Sequence, residues 1–267
     1  MWTWLKYIFS GMETFDAGLS LAERFGDKVP RFLYRHDYYF EEVNKKVFIK
    51  SNGDGIVVCS CDLYVIRPEK VEHFVRTFDI SDARKDTKFP KFKSIKINKN
   101  RFFDGCAIWY KSDKDIISSI EEYKKDFSAE EIRKVSDGKL IGIRFLIDKN
   151  KLESKCKYRI IYGYSIPGLF PILNGKHDKS ECSSKDYKYT TSMAVKHMAK
   201  KLRLSVYFEH GICIKEAPAG NAIKVTDNQT TPSSKCEVRD NILYTKYLYE
   251  IKHPEKYNAI QINWKLK

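Results

Sequence analysis

The chain has 267 residues, of which 42% are hydrophobic and 14% aromatic, a composition that excludes a disordered tail. The formal net charge of +14 would suit nucleic acid or an anionic membrane as a partner. Only 12 of the 49 basic residues are arginine, the residue that phosphate and base recognition favour, so the charge also fits a lysine-rich solvated surface.

The N-terminal segment has the spacing of an amphipathic helix. Apolar residues recur at steps of three and four over residues 1–25, and Gly26 then ends the pattern. Glu13 and Asp16 interrupt the apolar residues, so we expect neither a signal peptide nor a transmembrane segment. The polar face carries more acid than base, which disfavours contact with a membrane surface. The helix predicted over 1–26 should bind a partner through Trp2, Leu5, Phe9, Met12 and Phe15.

Residues 27–112 are expected to form a first β half. Its clearest element is a hairpin from Val47 to Ile66, in which two apolar runs flank the turn residues 51–55. Asn-Gly and Asp-Gly steps tolerate the positive φ angles of tight hairpin turns. No Gly-Lys-Ser/Thr motif follows this turn, so it is not a phosphate loop.

Residues 84–101 are the densest basic run in the chain. They predict an edge strand with its loop, because lysines protect exposed sheet edges, and they are also the first candidate for a nucleic-acid site. Arg31, Arg35 and the basic residues of 196–203 would extend that site. The candidate nucleic-acid-binding residues are Arg84, Lys85, Lys88, Lys91, Lys93, Lys96, Lys99 and Arg101.

Residues 113–137 are predicted to be a helical insertion between two β halves. Ser112 with Asp115, and Ser128 with Glu131, have the spacing of capping boxes. An apolar stripe at steps of three and four lies between them, which predicts one helix followed by a shorter one. Its apolar residues are Ile116, Ile120, Tyr123 and Phe127.

Residues 138–267 are expected to form the second β half. The last stretch, 241–267, alternates apolar and polar residues in two arms around His253 and Pro254, which predicts a hairpin with one apolar face. Such a face needs a covering layer. The predicted fold is therefore mainly β: an antiparallel β-sandwich, in two β halves, with an N-terminal amphipathic helix and a short helical insertion.

Motifs for catalysis are missing from the sequence. It contains no zinc, nucleotide or nicotinamide signature, so we expect no metal and no cofactor. If the chain is an enzyme whose site forms only in three dimensions, His177 and Asp178 in a long loop are the best candidates, and His210 could join them. The seven cysteines are an odd number, and Cys59 and Cys61 lie in an apolar run, which predicts reduced thiols and a cytoplasmic location.

These observations favour a non-enzymatic intracellular interaction protein. In this hypothesis a β-sandwich body docks a partner, or a second copy of the chain, through its N-terminal helix. Nucleic-acid binding through 84–101 is the alternative from a different class, and an enzyme is the third.

Overall fold

A computed structural model describes residues 37–79, 89–99, 107–125, 127, 129–170, 187–194, 199–224, 229–252, 254 and 259–266. The helix predicted over 1–26 lies outside these residues and stays a prediction. Among the described residues, no helix has the length and hydrophobicity needed to cross a lipid bilayer.

The described residues form one α-helix and a series of strands. In chain order, these elements are β1 (Tyr38–Ile49), β2 (Gly55–Val65), β3 (His73–Asp79), β4 (Lys96–Lys99), β5 (Ala107–Ser112), β6 (Ile117–Glu122), α1 (Ala129–Ser136), β7 (Leu140–Ile147), β8 (Cys156–Ile166), β9 (Tyr187–Ala194), β10 (Lys201–Glu209), β11 (Ile214–Lys224), β12 (Gln229–Thr230), β13 (Ser234–Lys235), β14 (Glu237–Asp240), β15 (Tyr244–Lys252) and β16 (Ala259–Leu266). The prediction of a mainly β fold is confirmed.

The strands assemble into three sheets. The large sheet has eight strands in the order β14-β15-β10-β1-β2-β8-β5-β4. A second sheet has the order β12-β11-β16-β9, with β13 also paired to β11, and a third has the order β3-β7-β6. Pairing is antiparallel except between β1 and β10 and between β4 and β5. The large sheet draws strands from both predicted β halves, 27–112 and 138–267.

The two smaller sheets cover the same face of the large sheet. Cross-strand pairing places Tyr164 and Phe208 on one face, which we call the inner face. Phe78 of the third sheet packs on Tyr164, with ring centroids 4.5 Å apart, and Trp264 of the second sheet meets Phe208 edge-on at 5.9 Å. Alternation along β2 follows this layering, because Val57, Cys59, Cys61, Leu63 and Val65 are buried between half-buried neighbours.

The predicted hairpin from Val47 to Ile66 is confirmed. β1 and β2 pair from Ile49 and Gly55 onward through the length of both strands. Gly53 has a φ of 86°, and the Asn52 side chain accepts a hydrogen bond from the Asp54 N–H at 3.0 Å, as a tight turn requires. The two strands form the centre of the large sheet.

The predicted C-terminal hairpin is wrong. Its two arms are strands β15 and β16, but they do not pair with each other. β15 pairs with β10 and β14 in the large sheet, whereas β16 pairs with β9 and β11 in the second sheet. The two arms lie in different layers of the sandwich: Trp264 of β16 contacts Phe208 of the large sheet, and Tyr249 of β15 lies over Gly220 of the second sheet.

The predicted helical insertion over 113–137 is corrected in its first half. Ile117–Glu122 is strand β6, paired with β7, rather than a helix. Lys114 and Asp115 have positive φ angles of 48° and 51°, so the backbone turns before a helix could begin. The short second helix is present as α1.

Candidate interaction surface

Most of the residues that the sequence singled out for a site lie outside the described part of the chain. This applies to the partner-binding set of the N-terminal helix, to Arg84, Lys85, Lys88 and Arg101, and to the loop residues His177 and Asp178. Their predicted roles stay predictions. His210 is described: it is exposed, and its N–H donates to the Leu243 carbonyl at 3.1 Å.

The described half of the basic run lies along one edge of the large sheet. Lys96 and Lys99 belong to β4, which among the described strands ends the sheet and pairs only with β5, so the predicted edge strand is confirmed here. Lys99 forms an ion pair with Asp115 at 3.0 Å. Lys91, Lys93 and Lys96 are exposed, and within the described ranges none of the three has a carboxylate partner.

The opposite edge of the large sheet exposes apolar side chains. Strand β14 pairs only with β15 in the described structure, and all four of its residues are exposed. Val238 is 52% exposed, and Ile242 and Leu243 in the following turn are 92% and 64% exposed. Three of the five large hydrophobic residues that are exposed in the described structure therefore lie within one hairpin, at a sheet edge that is open to another strand.

Hydrogen bonds hold this hairpin in a defined shape. The side-chain oxygen of Asn241 accepts from the N–H groups of Leu243 and Tyr244, at 2.9 and 2.8 Å. The Asn241 N–H donates to the Tyr244 carbonyl at 3.0 Å. Because the turn is closed on both sides, the exposed apolar side chains of Ile242 and Leu243 stand on a structured tip.

Described charged side chains on the outer face of the large sheet pair largely with one another. Arg203 of β10 lies between Glu250 of β15 and Glu42 of β1, and Lys201 also reaches Glu250 at 3.2 Å. Burial opposes ionisation of Glu250, but the hydrogen bonds from Arg203 and Lys201 outweigh it and lower the pKa of that carboxyl. Since Lys200 pairs with Glu41, the described cations of the predicted extension 196–203 are already neutralised.

A cluster between the large sheet and the third sheet places the half-buried Arg76 against the buried residues Cys61 and Tyr162. The Arg76 guanidinium donates to the Tyr162 hydroxyl at 2.9 Å, to the Val75 carbonyl at 3.0 Å and to the Cys61 sulfur at 3.6 Å. It also faces the rings of Phe40 and Phe74, at 5.4 and 5.2 Å. In the described structure no carboxylate pairs with Arg76.

This cluster has the composition of a reactive thiol site but not its electrostatics. Burial raises the pKa of Cys59 to about 11, and it raises the pKa of Cys61 although Arg76 opposes that shift. Thiols that stay protonated are poor nucleophiles and poor metal ligands. Among the described residues, no group of three or more His, Cys, Asp and Glu side chains has the arrangement of a metal site.

Sequence reasoning missed the β14 edge. The segment before it reads as a loop rich in Pro, Gly and Ser, so the sequence pattern predicts no strand over Glu237–Asp240. The available signal was the alternation of Glu237, Val238 and Arg239 directly before Asn241, a residue that favours turns. An edge strand of four residues is too short for periodicity to identify.

No protein-family model and no curated protein matches the sequence. A crystal structure of a candidate protease from Parabacteroides distasonis is similar over 85% of this chain, with 10% sequence identity and a TM-score of 0.44. The chain spans 40% of the length of that structure. The yeast delta-COP-I mu-homology domain, in complex with a Dsl1 peptide, matches 87% of this chain and 76% of its own, with 11% identity and a TM-score of 0.19.

Proposed function

We propose that this chain is a non-enzymatic interaction protein that docks an extended segment of another polypeptide chain on the free edge of β14. The exposed apolar hairpin at the end of the largest sheet is the observation that carries the proposal. An added strand would satisfy the unpaired backbone groups of β14 and would cover Val238. Adding a strand needs no catalytic residue, which agrees with the protonated thiols of the cluster around Arg76.

Site-specific photocrosslinking tests this proposal. A photoreactive residue replaces Ile242, which is exposed beside the edge. Substitution at this position leaves Val238 unchanged. The control carries the same residue at Lys111, an exposed position on β5 away from β14. We expect an adduct of defined mass from position 242 and none from position 111. If position 242 gives no adduct in extract of the source cells or with the pure protein, the proposal is wrong.

The opposite edge of the large sheet favours a second candidate function, nucleic-acid binding through 84–101. Lys91, Lys93 and Lys96 are exposed beside β4 and have no carboxylate partner in the described ranges. Binding of a single-stranded oligonucleotide should then fall steeply with salt, because each neutralised phosphate releases counterions. Charge reversal at Lys93 and Lys96 should reduce that salt dependence. Affinity that is equal at low and high salt would exclude this function.

The N-terminal helix is a separate part of the proposal. The five apolar residues predicted to bind a partner, from Trp2 to Phe15, would add a second docking element to the protein. An intracellular location, proposed from the cysteine content, agrees with the free thiols of the five described cysteines.

A further inference from the structure

We infer that the strand docked on β14 is the β14 of a second copy of this chain, in an antiparallel register centred on Val238. This inference rests on the proposed function and names its partner. It is drawn from the direction of the backbone groups on β14 and from the order of its side chains, in which Val238 lies between the charged residues Glu237 and Arg239.

The backbone of β14 presents alternate residues to the open edge. Asn241 bonds to Tyr244 through its N–H, so the pairs formed by residues 239 and 237 with β15 are also hydrogen-bonded pairs. The other side of β15 agrees with this assignment, because the bond from His210 to Leu243 makes Tyr207 and Lys246 a pair without hydrogen bonds. The N–H and C=O groups of Val238 and Asp240 therefore point away from β15, toward the open edge.

This alternation restricts how two β14 strands can pair about a two-fold axis. Residues that bond across the new interface must both point outward, so the axis has to pass through a residue rather than between two residues. An axis at Glu237, Arg239 or Asp240 places two like charges opposite each other, which is unfavourable. An axis at Val238 avoids this, because Val238 then faces Val238 of the second copy.

Side chains in the Val238 register complement each other on both faces. Glu237 lies opposite Arg239 of the second copy, and Arg239 lies opposite its Glu237, in pairs without hydrogen bonds, where side chains come closest. These charges, which form an ion pair within one strand at 2.5 Å, would become two cross-strand pairs on the outer face. On the inner face the two Val238 side chains cover each other beside Tyr247.

A charge-swap experiment on the full chain tests the register. The oligomeric state is measured by light scattering after size exclusion over a concentration series. We expect a dimer for the natural chain. Glu237→Lys or Arg239→Glu alone places like charges opposite each other twice per dimer and should weaken dimerisation by about tenfold or more. An equimolar mixture of the two variants restores both opposite-charge pairs, so it should form a heterodimer as tightly as the natural chain.

Two further variants sharpen the result. Val238→Pro removes an N–H that points to the open edge and leaves the β15 ladder intact, so the chain should stay folded and lose pairing through this edge. Lys111→Glu on β5 is the matched charge control and should dimerise normally. A natural chain that is monomeric at every concentration overturns the inference, and so does a mixture that stays monomeric. If photocrosslinking at position 242 then gives an adduct only with another protein, the proposed function holds and self-pairing is wrong.

Discussion

The ring of Tyr249 in β15 lies directly over Gly220 in β11. A Cβ atom on Gly220 would be 2.2 Å from the Cγ atom of that ring, a distance that real Cβ atoms do not reach. The two strands belong to facing sheets, so this contact brings the sheets closer together than two side chains would allow. Only glycine fits under Tyr249 at the observed spacing.

Gly220→Ala should therefore destabilise the protein, by about 1 to 3 kcal/mol, since the added methyl group forces the two sheets or the ring apart. Urea denaturation gives the change in the free energy of unfolding. Tyr249→Ala removes the ring, so in that background Gly220→Ala should cost less than half as much. Equal costs in both backgrounds would show that the contact with Tyr249 is not the cause.

The last two strands, β15 and β16, show which part of the fold could be predicted from the sequence. Alternation in 241–267 correctly predicts two strands, each with one buried face. It cannot tell whether two neighbouring strands pair edge to edge or face each other across a core, because both arrangements bury the same residues. The partner of each strand is set by contacts that are distant in sequence, such as the pairing of β16 with β9.

Strand β6 shows a second limit of the sequence pattern. Ile116 and Ile120 are four residues apart, a spacing that puts side chains on one face of either a helix or a strand. The pattern alone therefore could not separate the two. Residues 117–122 form a strand because they pair with β7, and this pairing buries Ile117. Tertiary contacts therefore override the helical preference of Ile117–Glu122, whereas Ala129–Ser136 forms the predicted helix.

The candidate site was less predictable than the fold. The basic edge around Lys96 follows from composition, since a run of lysines beside alternating isoleucines indicates an edge strand. The β14 edge depends on which strand ends the sheet, and this follows from pairing order rather than from the residues of β14. Exposure of Val238 could not be derived without that order.

Arg76 should tolerate loss of its charge better than replacement by another cation. Arg76→Lys keeps a half-buried charge but loses the bonds to Tyr162 and Cys61 and the flat contact with the Phe40 and Phe74 rings. We expect it to destabilise the protein by about 2 kcal/mol. Arg76→Met keeps the packing and removes the desolvation cost of the charge, so it should cost less.

Thermal and urea unfolding of the two Arg76 variants give that order directly. Arg144→Lys serves as the control, because Arg144 lies on β7, the neighbour of β3 in the same sheet, where its guanidinium covers the Tyr123 ring at 4.6 Å without this network. If the Lys variant at position 76 is more stable than the Met variant, the desolvation cost assigned to this half-buried cation is wrong.

Cys59 should make the stability of the protein fall at high pH. Burial raises the pKa of its thiol from an ordinary 9.0 to about 11, so the folded state favours the protonated form. The stabilisation is complete below pH 9 and is lost as the pH rises from 9 to 11. It amounts to about 2 to 3 kcal/mol for a shift of this size.

Urea denaturation between pH 8 and pH 11 tests the effect of Cys59, measured as the slope of the unfolding free energy against pH. Cys59→Ala should show a shallower fall than the natural chain, although its stability at pH 8 is lower because a buried side chain is shortened. Cys213→Ala is the control for the loss of a cysteine, since Cys213 is exposed and lies outside the core. An identical slope in all three proteins would refute the assignment.

The N-terminal helix predicted over 1–26 gives the last expectation. Phe9→Asp places a charge in its apolar stripe and should abolish assembly through this segment, while the free energy of unfolding of the β body stays within about 0.5 kcal/mol. Light scattering in the Val238→Pro background measures this assembly without interference from the β14 edge. Ser20→Asp, on the polar side of the predicted helix, is the matched control and should assemble normally. Assembly that survives Phe9→Asp but is lost in Ser20→Asp would place the docking face on the opposite side of the helix.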